Sequence, residues 1–127
     1  MVSFEEFHST AGTPIYLQIL RYIQRGAAAG RIQDGDELPS RRVLSALLGV
    51  NPNTVQKAYR LLEDEGLIRS HSGAKSYMVL TPETVDCIRR QLLESDARAL
   101  VAAMRQTGAT LTDTQRLIAA LWEEESK

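Results

Sequence analysis

Asn53, Gln56, Lys57 and Arg60 recur at three- and four-residue intervals, so on a helix they share one outward row. Their common chemistry is hydrogen-bond donation. The two carboxamides can pair bidentately with a base edge, and the two cations can neutralise phosphate. The stretch that carries them, residues 51–65, has helical punctuation. Asn51 is a capping residue type, Pro52 suits a first helical position that needs no amide hydrogen, and Gly66 follows the last turn. Val55, Ala58, Tyr59 and Leu62 take the i, i+3, i+4, i+7 spacing of a buried face behind the donor row. The pattern points to a reader of nucleic acid. It does not point to catalysis. His8, His71 and Cys87 make neither a metal-ligand spacing nor a nucleophile–base pair, and there is no glycine-rich phosphate loop. Neither an enzyme nor a cofactor is expected.

The elements that must position this row follow from the flanking sequence. Thr13-Pro14 reads as a cap and first turn, and Ile15, Ile19 and Ile23 continue a helix to about Ala29, stopped by Gly30. Gly26 inside that helix costs about 1 kcal/mol against alanine, which suggests either close packing or simple tolerance. Residues 31–39 are turn-rich around Asp34-Gly35, with room for one short strand near Leu38. Ser40 caps the next helix, Leu44 and Leu48 give it a stripe, and Gly49 breaks it. Two helices joined so closely, the second donor-rich, read as helix-turn-helix. Leu67-Ile68-Arg69-Ser70 and Ser76-Tyr77-Met78-Val79-Leu80 then bracket a glycine-containing loop and predict a hairpin. The predicted class is mainly α with a small β-hairpin: a winged helix-turn-helix over residues 13–81, the hairpin being its wing.

Residues 1–12 are polar and are expected to form a flexible arm, in which Phe4 and Phe7 are the residues that could dock. Beyond Thr81-Pro82, Val85, Ile88 and Leu92, then Leu93, Ala97, Leu100 and Met104, make stripes of a helix ending near Gln106. Thr112 with Gln115 resembles a capping box opening a last helix, with Leu117, Ile118, Leu121 and Trp122 on one face. Glu123-Glu124-Glu125 stand at its negative end, where fraying is expected. In the helix after Ser40, Val43, Ala46 and Leu47 form an extra apolar face that the tail or a partner subunit is expected to cover.

Composition narrows the setting. A chain of 127 residues suits one modest domain or a small domain with an appendage. No stretch reaches the roughly 18 apolar residues of a membrane span, and the first residues lack a basic, apolar signal, so no membrane partner is expected. A single cysteine, Cys87, fits a reducing cytosol and reads as a packed thiol. The net charge of −1 argues against bulk attraction to nucleic acid. Residues 31–80 hold seven Lys or Arg against six acids, so affinity must come from local placement or from two copies acting together.

Residues 13–81 resemble the winged-helix domain of the GntR family of bacterial transcriptional regulators. The landmarks are Pro14-Ile15-Tyr16, Gln18-Ile19, Gly35-Asp36, Leu38-Pro39-Ser40-Arg41-Arg42, Leu44 and Leu48-Gly49-Val50. They continue through Thr54-Val55, Lys57-Ala58-Tyr59, Leu62-Glu63 and Gly66-Leu67-Ile68. Asn51-Pro52-Asn53-Thr54-Val55 and the short remainder are similar to the YtrA subgroup. The resemblance implies a dimeric repressor in a bacterial cytosol, working at the nucleoid on a double-stranded operator. It also implies a two-helix tail, 82–127, that dimerises through Val85, Ile88, Leu92, Leu93, Leu100, Met104, Leu117, Leu121 and Trp122. Genes controlled by that subgroup often encode membrane transporters. The chain departs from the family at three places: Arg41 replaces a usual acid, Pro52 a frequent arginine, and Lys75 the second wing glycine. The docking mode carries over; the base preferences do not.

The DNA-contacting set is then Ser40, Arg41, Arg42, Asn51, Asn53, Thr54, Gln56, Lys57, Gly73 and Lys75. Arg42 matches the family's DNA-contacting arginine; its plain alternative is a surface ion pair with Glu37. Ser40 and Asn51 are caps first. Asn53, Thr54 and Gln56 are the freer readers, suited to A·T pairs, whereas Lys57 and Lys75 suit phosphate. Gly73 permits close backbone approach, or simply a turn. Two other classes remain open: a winged-helix adaptor for protein partners without direct DNA binding, and a sensor taking a small-molecule effector of unidentified chemistry.

Overall fold

The computed structural model describes residues 1–71 and 75–126. Five helices and three strands follow in the order α1 (Ile15–Ala28), β1 (Glu37–Leu38), α2 (Arg41–Leu48), α3 (Pro52–Asp64), β2 (Ile68–His71), β3 (Lys75–Met78), α4 (Pro82–Gln106) and α5 (Leu111–Glu125). The chain divides into two compact units, Met1–Arg89 and Arg90–Lys127. The division falls inside α4, two turns beyond the sequence boundary at residue 81.

The N-terminal unit is a winged helix. Its three strands are antiparallel in the order β1-β3-β2, with β1 pairing Glu37 to Tyr77 and Leu38 to Ser76. The hairpin register sets Ile68 opposite Met78 and Ser70 opposite Ser76. The core gathers one stripe from each element: Ile19 and Ile23 of α1, Leu38 of β1, Leu44 of α2, Val55 and Leu62 of α3, then Leu67 and Met78, all essentially dry. Gly26 is needed at its place. A β-carbon there would stand 2.5 Å from Ile32 Cδ1, so the glycine lets the post-helix turn fold back over α1.

Five sequence expectations change in the two units. Residues 1–12 are not a loose arm: Val2 and Phe4 are buried, and the Val2 N–H donates to the Glu37 carbonyl at 2.8 Å beside β1. Phe4 stacks on Tyr22 at 5.0 Å, Phe7 meets it edge-on at 5.4 Å, and the Tyr22 hydroxyl donates to the Ser3 carbonyl. Apolar burial and satisfied backbone groups together offset the entropy of ordering the segment. Pro14 itself stands at the cap position of α1, without a side-chain cap from Thr13.

The second unit is the remainder of α4, a turn through Gly108, and α5. Its capping box is Thr110 with Asp113, not Thr112 with Gln115. Thr110 Oγ1 accepts from the Asp113 N–H and Asp113 Oδ2 from the Thr110 N–H, both at 3.1 Å. Those bonds hold the Asp113 carboxyl below its usual range. The three terminal glutamates do not shorten α5, which runs to Glu125. The helices leave their stripes in water: Leu93, Leu100, Leu117, Leu121 and Trp122 are all exposed, Trp122 at 72%. Cys87, expected as a packed thiol, is exposed too.

Candidate nucleic-acid interface

The motif begins with two caps. Ser40 Oγ accepts from the Val43 N–H at 3.1 Å and starts α2; Asn51 Oδ1 accepts from the Asn53 N–H at 2.8 Å and starts α3. The three residues between the helices turn through Gly49 at φ +68, a left-handed conformation that glycine adopts without penalty. Because Val55, Ala58, Tyr59 and Leu62 are committed to the core, α3 must show its other side to solvent. Asn53, Lys57 and Arg60 are exposed there, and Thr54 is half-buried.

Tyr59 fixes the two helices together. Its hydroxyl donates to the Pro39 carbonyl at 2.7 Å, and Pro39 directly precedes the cap of α2. Burial pushes the phenol far above its usual range, so it remains a donor. Arg41 and Arg42 follow at the first turn of α2, both exposed. Val43 and Leu47, on the face expected to be covered, are open at 57% and 66%.

Two of the expected contacts are qualified by their surroundings. Lys57 Nζ lies 4.0 Å over the Tyr16 ring, a cation–π pair that steers the ammonium toward α1 while leaving it in solvent. Gln56 does not project with Asn53. Its carboxamide oxygen is turned out of solvent and lacks a hydrogen-bond partner among the described residues. It lies in a cleft of about 70 Å³ between α3 and the hairpin, shared with Arg41, Arg60, Ser70 and Ser76. Asn51 is engaged as a cap and so is not free to read a base. Lys75 is exposed on β3 opposite His71, while Gly73 lies outside the described residues. Arg60, Ser70 and Ser76 were not in the expected contact set. For Arg60 the signal was present, since it stands four residues after Gln56.

The tail residues divide differently from the expected dimerisation set. Ile88 is 6% exposed and Val85 half-buried in the N-terminal unit, so Ile88 has no apolar area left for a second subunit. In that unit Arg89 donates to the Ala28 carbonyl at 2.5 Å, a cation closing the negative end of α1. Among the described residues no helix is long and apolar enough to cross a membrane, and no His, Cys, Asp and Glu group could hold a metal ion.

Comparison with known proteins gives this geometry a family. The bacterial regulatory proteins of the gntR family match over residues 15–77. The HTH-type transcriptional repressor YtrA of Bacillus subtilis (strain 168) is 43% identical over 68 residues, 54% of this chain and 52% of that protein. The chain thus spans about half the length of that relative. The HTH-type transcriptional regulator YhcF of the same strain is 32% identical over 97 residues, 76% of this chain and 80% of its own. A solved GntR family transcriptional regulator from Listeria monocytogenes superposes with a TM-score of 0.74 at 27% identity, covering 91% of this chain and 98% of that one. With its capped helix pair, its hairpin and these relatives, the chain belongs to the GntR family of helix-turn-helix transcriptional regulators.

Proposed function

We propose that the protein is a homodimeric repressor that binds an inverted-repeat operator, each N-terminal unit reading one half-site. The observation that carries this is the division of labour on α3: one face is wholly core, and the other holds Asn53, Lys57 and Arg60 in solvent behind a capped N-terminus. The amides of this first turn are taken, by the missing N–H of Pro52 and by the bonds of Asn53 and Thr54 to Asn51, so the helix start offers phosphates its positive dipole end while the side chains meet base edges. Pro52 has no donor, so reading falls to Asn53 and Thr54, which favour A·T pairs through adenine hydrogen bonding and thymine methyl contact. Arg42 at the start of α2 and Lys75 on the hairpin hold the backbone.

The exposure of Leu93, Leu100, Leu117, Leu121 and Trp122 supports the dimeric reading, because a hairpin of two helices cannot bury those stripes itself. Dimerisation also answers the charge objection: two modest sets of phosphate contacts act together at high effective concentration. Two-fold symmetry in the protein then demands two-fold symmetry in the site. Selection from random duplexes tests all of this. The expected outcome is an inverted repeat with A·T pairs under α3. Enrichment of a single asymmetric site would refute the dimeric mode, and essential guanines under α3 would refute the base assignment.

A further inference from the structure

The cleft between α3 and the hairpin is built from donors on three separate elements. Arg41 comes from α2, Gln56 and Arg60 from α3, and Ser70 and Ser76 from the hairpin, with Glu63 as its lone carboxylate. Ser70 and Ser76 are direct cross-strand partners, their hydroxyl oxygens 3.4 Å apart. They share a hairpin face with Ile68 and Met78, which are buried. That face is turned inward, so both hydroxyls look across the cleft at α3 rather than out from the wing. Only one of two mutually bonded hydroxyls uses its proton in that bond; the other remains free to donate. The Gln56 amide, whose oxygen has no donor here, can exchange ends and present its NH₂.

At about 70 Å³ the cleft is far below the roughly 300 Å³ from which drug-sized ligand pockets begin. Its chemistry suits one small acceptor-only anion: two guanidinium forks and, beside Glu63, a free hydroxyl proton and a turnable amide. We propose that it seats one backbone phosphate of the operator, gripped by Arg41 and Arg60 and hydrogen-bonded by the one free proton of the Ser70–Ser76 pair. This rests on the operator-binding reading, and it deepens that reading by joining α3 and the hairpin through a single phosphate. The contact is independent of sequence, so it contributes affinity and register rather than specificity.

Titration of the full-length protein against its selected operator and against a scrambled duplex, over a range of salt, tests the proposal. Arg60→Ala should weaken both duplexes alike and flatten the plot of log K against log salt by about 0.9, one phosphate's worth of counterion release. Ser70→Ala with Ser76→Ala leaves the long-range field untouched, and should weaken both duplexes by about three- to tenfold with the slope unchanged. An unchanged slope in Arg60→Ala overturns the seat, and so does unchanged affinity in the double serine variant, which would reduce Arg60 to a distant charge. Inorganic phosphate is the rival source of the same chemistry. If it raises the thermal midpoint of the wild type but not of Arg60→Ala, while the DNA slopes coincide, the site is for free phosphate and the operator assignment is wrong. Wild type that binds neither duplex would sink the regulatory reading itself, an outcome distinct from the others.

Discussion

Replacing Tyr59 by Phe isolates the bond that holds the two motif helices in register. The ring is 5% exposed and its hydroxyl donates to the Pro39 carbonyl at 2.7 Å. Pro39 is itself buried and precedes the Ser40 cap, so the bond fixes where Arg41 and Arg42 begin. Phenylalanine keeps the packing and removes the donor, leaving a buried carbonyl unpaired at a cost of about 1–3 kcal/mol. The pH dependence gives a second, independent signature. Burial raises the folded-state pKa of the phenol above its unfolded value near 10. Below about pH 10 both states hold the proton and nothing changes. Above it the unfolded chain releases the proton while the folded chain keeps it, so stability falls by about 1.4 kcal/mol per pH unit. Tyr59→Phe lacks that term, whereas titration of the other tyrosines and lysines is common to both proteins and cancels in the difference. Urea unfolding followed by circular dichroism at pH 7 and at steps through pH 11 reads both effects. The variant should be the less stable at pH 7 and should lose stability less steeply above pH 10. Equal stability at pH 7, or parallel alkaline losses, would refute the reasoning.

Three other expectations are open to the same kind of measurement. Gly26→Ala gains about 1 kcal/mol of helix propensity but forces Ile32, whose Cδ1 and Cγ1 would stand 2.5 and 2.9 Å from the new carbon, at an overpacking cost of about 1–3 kcal/mol. The net should be a loss in urea unfolding that Ile32→Val in the same chain recovers only in part, because valine removes Cδ1 but keeps a carbon at the Cγ1 position; a more stable single variant would contradict the close-packing account. Lys57→Ala and Tyr16→Leu should each cost about 0.5–1 kcal/mol and be non-additive in a double-mutant cycle, because each breaks the same cation–π pair. Additive losses would mean the ammonium and the ring do not interact. Trp122 is the single tryptophan and is 72% exposed in one chain. If it lies in the dimer interface its emission is blue-shifted at high concentration and moves red on dilution, whereas solvent-like emission from a sedimenting dimer would place it outside.

What the sequence made legible was local. Ser40, Asn51-Pro52 and the Val55–Leu62 stripe each declare themselves within one or two turns, because caps and periodicity are properties of neighbours in the chain. The rest depends on partners distant in sequence. That Phe4 and Phe7 could dock was legible, but their surface, Tyr22, was not, because it lies in another element. Lys57 read as a phosphate contact, and its pairing with Tyr16 stayed hidden because that ring stands more than forty residues earlier. Thr112 and Gln115 satisfy the capping-box pattern as well as Thr110 and Asp113 do. The choice is made by the turn at Gly108, whose φ of +77 brings the chain out extended at Thr110 and makes that residue the cap.

Gln56 shows the same limit inside the site. Helical spacing puts it in the row of Asn53 and Arg60, but it flanks the buried Val55, and the hairpin closes over that flank.

The net charge misled for a related reason: it sums over positions that the fold keeps apart. Arg41 and Arg42 occupy the first turn of α2, Lys57 and Arg60 the middle of α3, and Arg69 and Lys75 the hairpin, all exposed. The acids of α3 are confined to Glu63, Asp64 and its closing residue Glu65. Side-chain charge therefore runs from donors and cations to carboxylates in the same sense as the helix dipole, positive at the Asn51 end. Acids at a helix C-terminus cost some helix stability, yet here they sharpen the field, repelling a polyanion from one end of α3 while the other end attracts it. In the proposed binding mode this sorting would orient a phosphate backbone along α3 before any base is read, and it is how a chain of net charge −1 can present a local attraction to one.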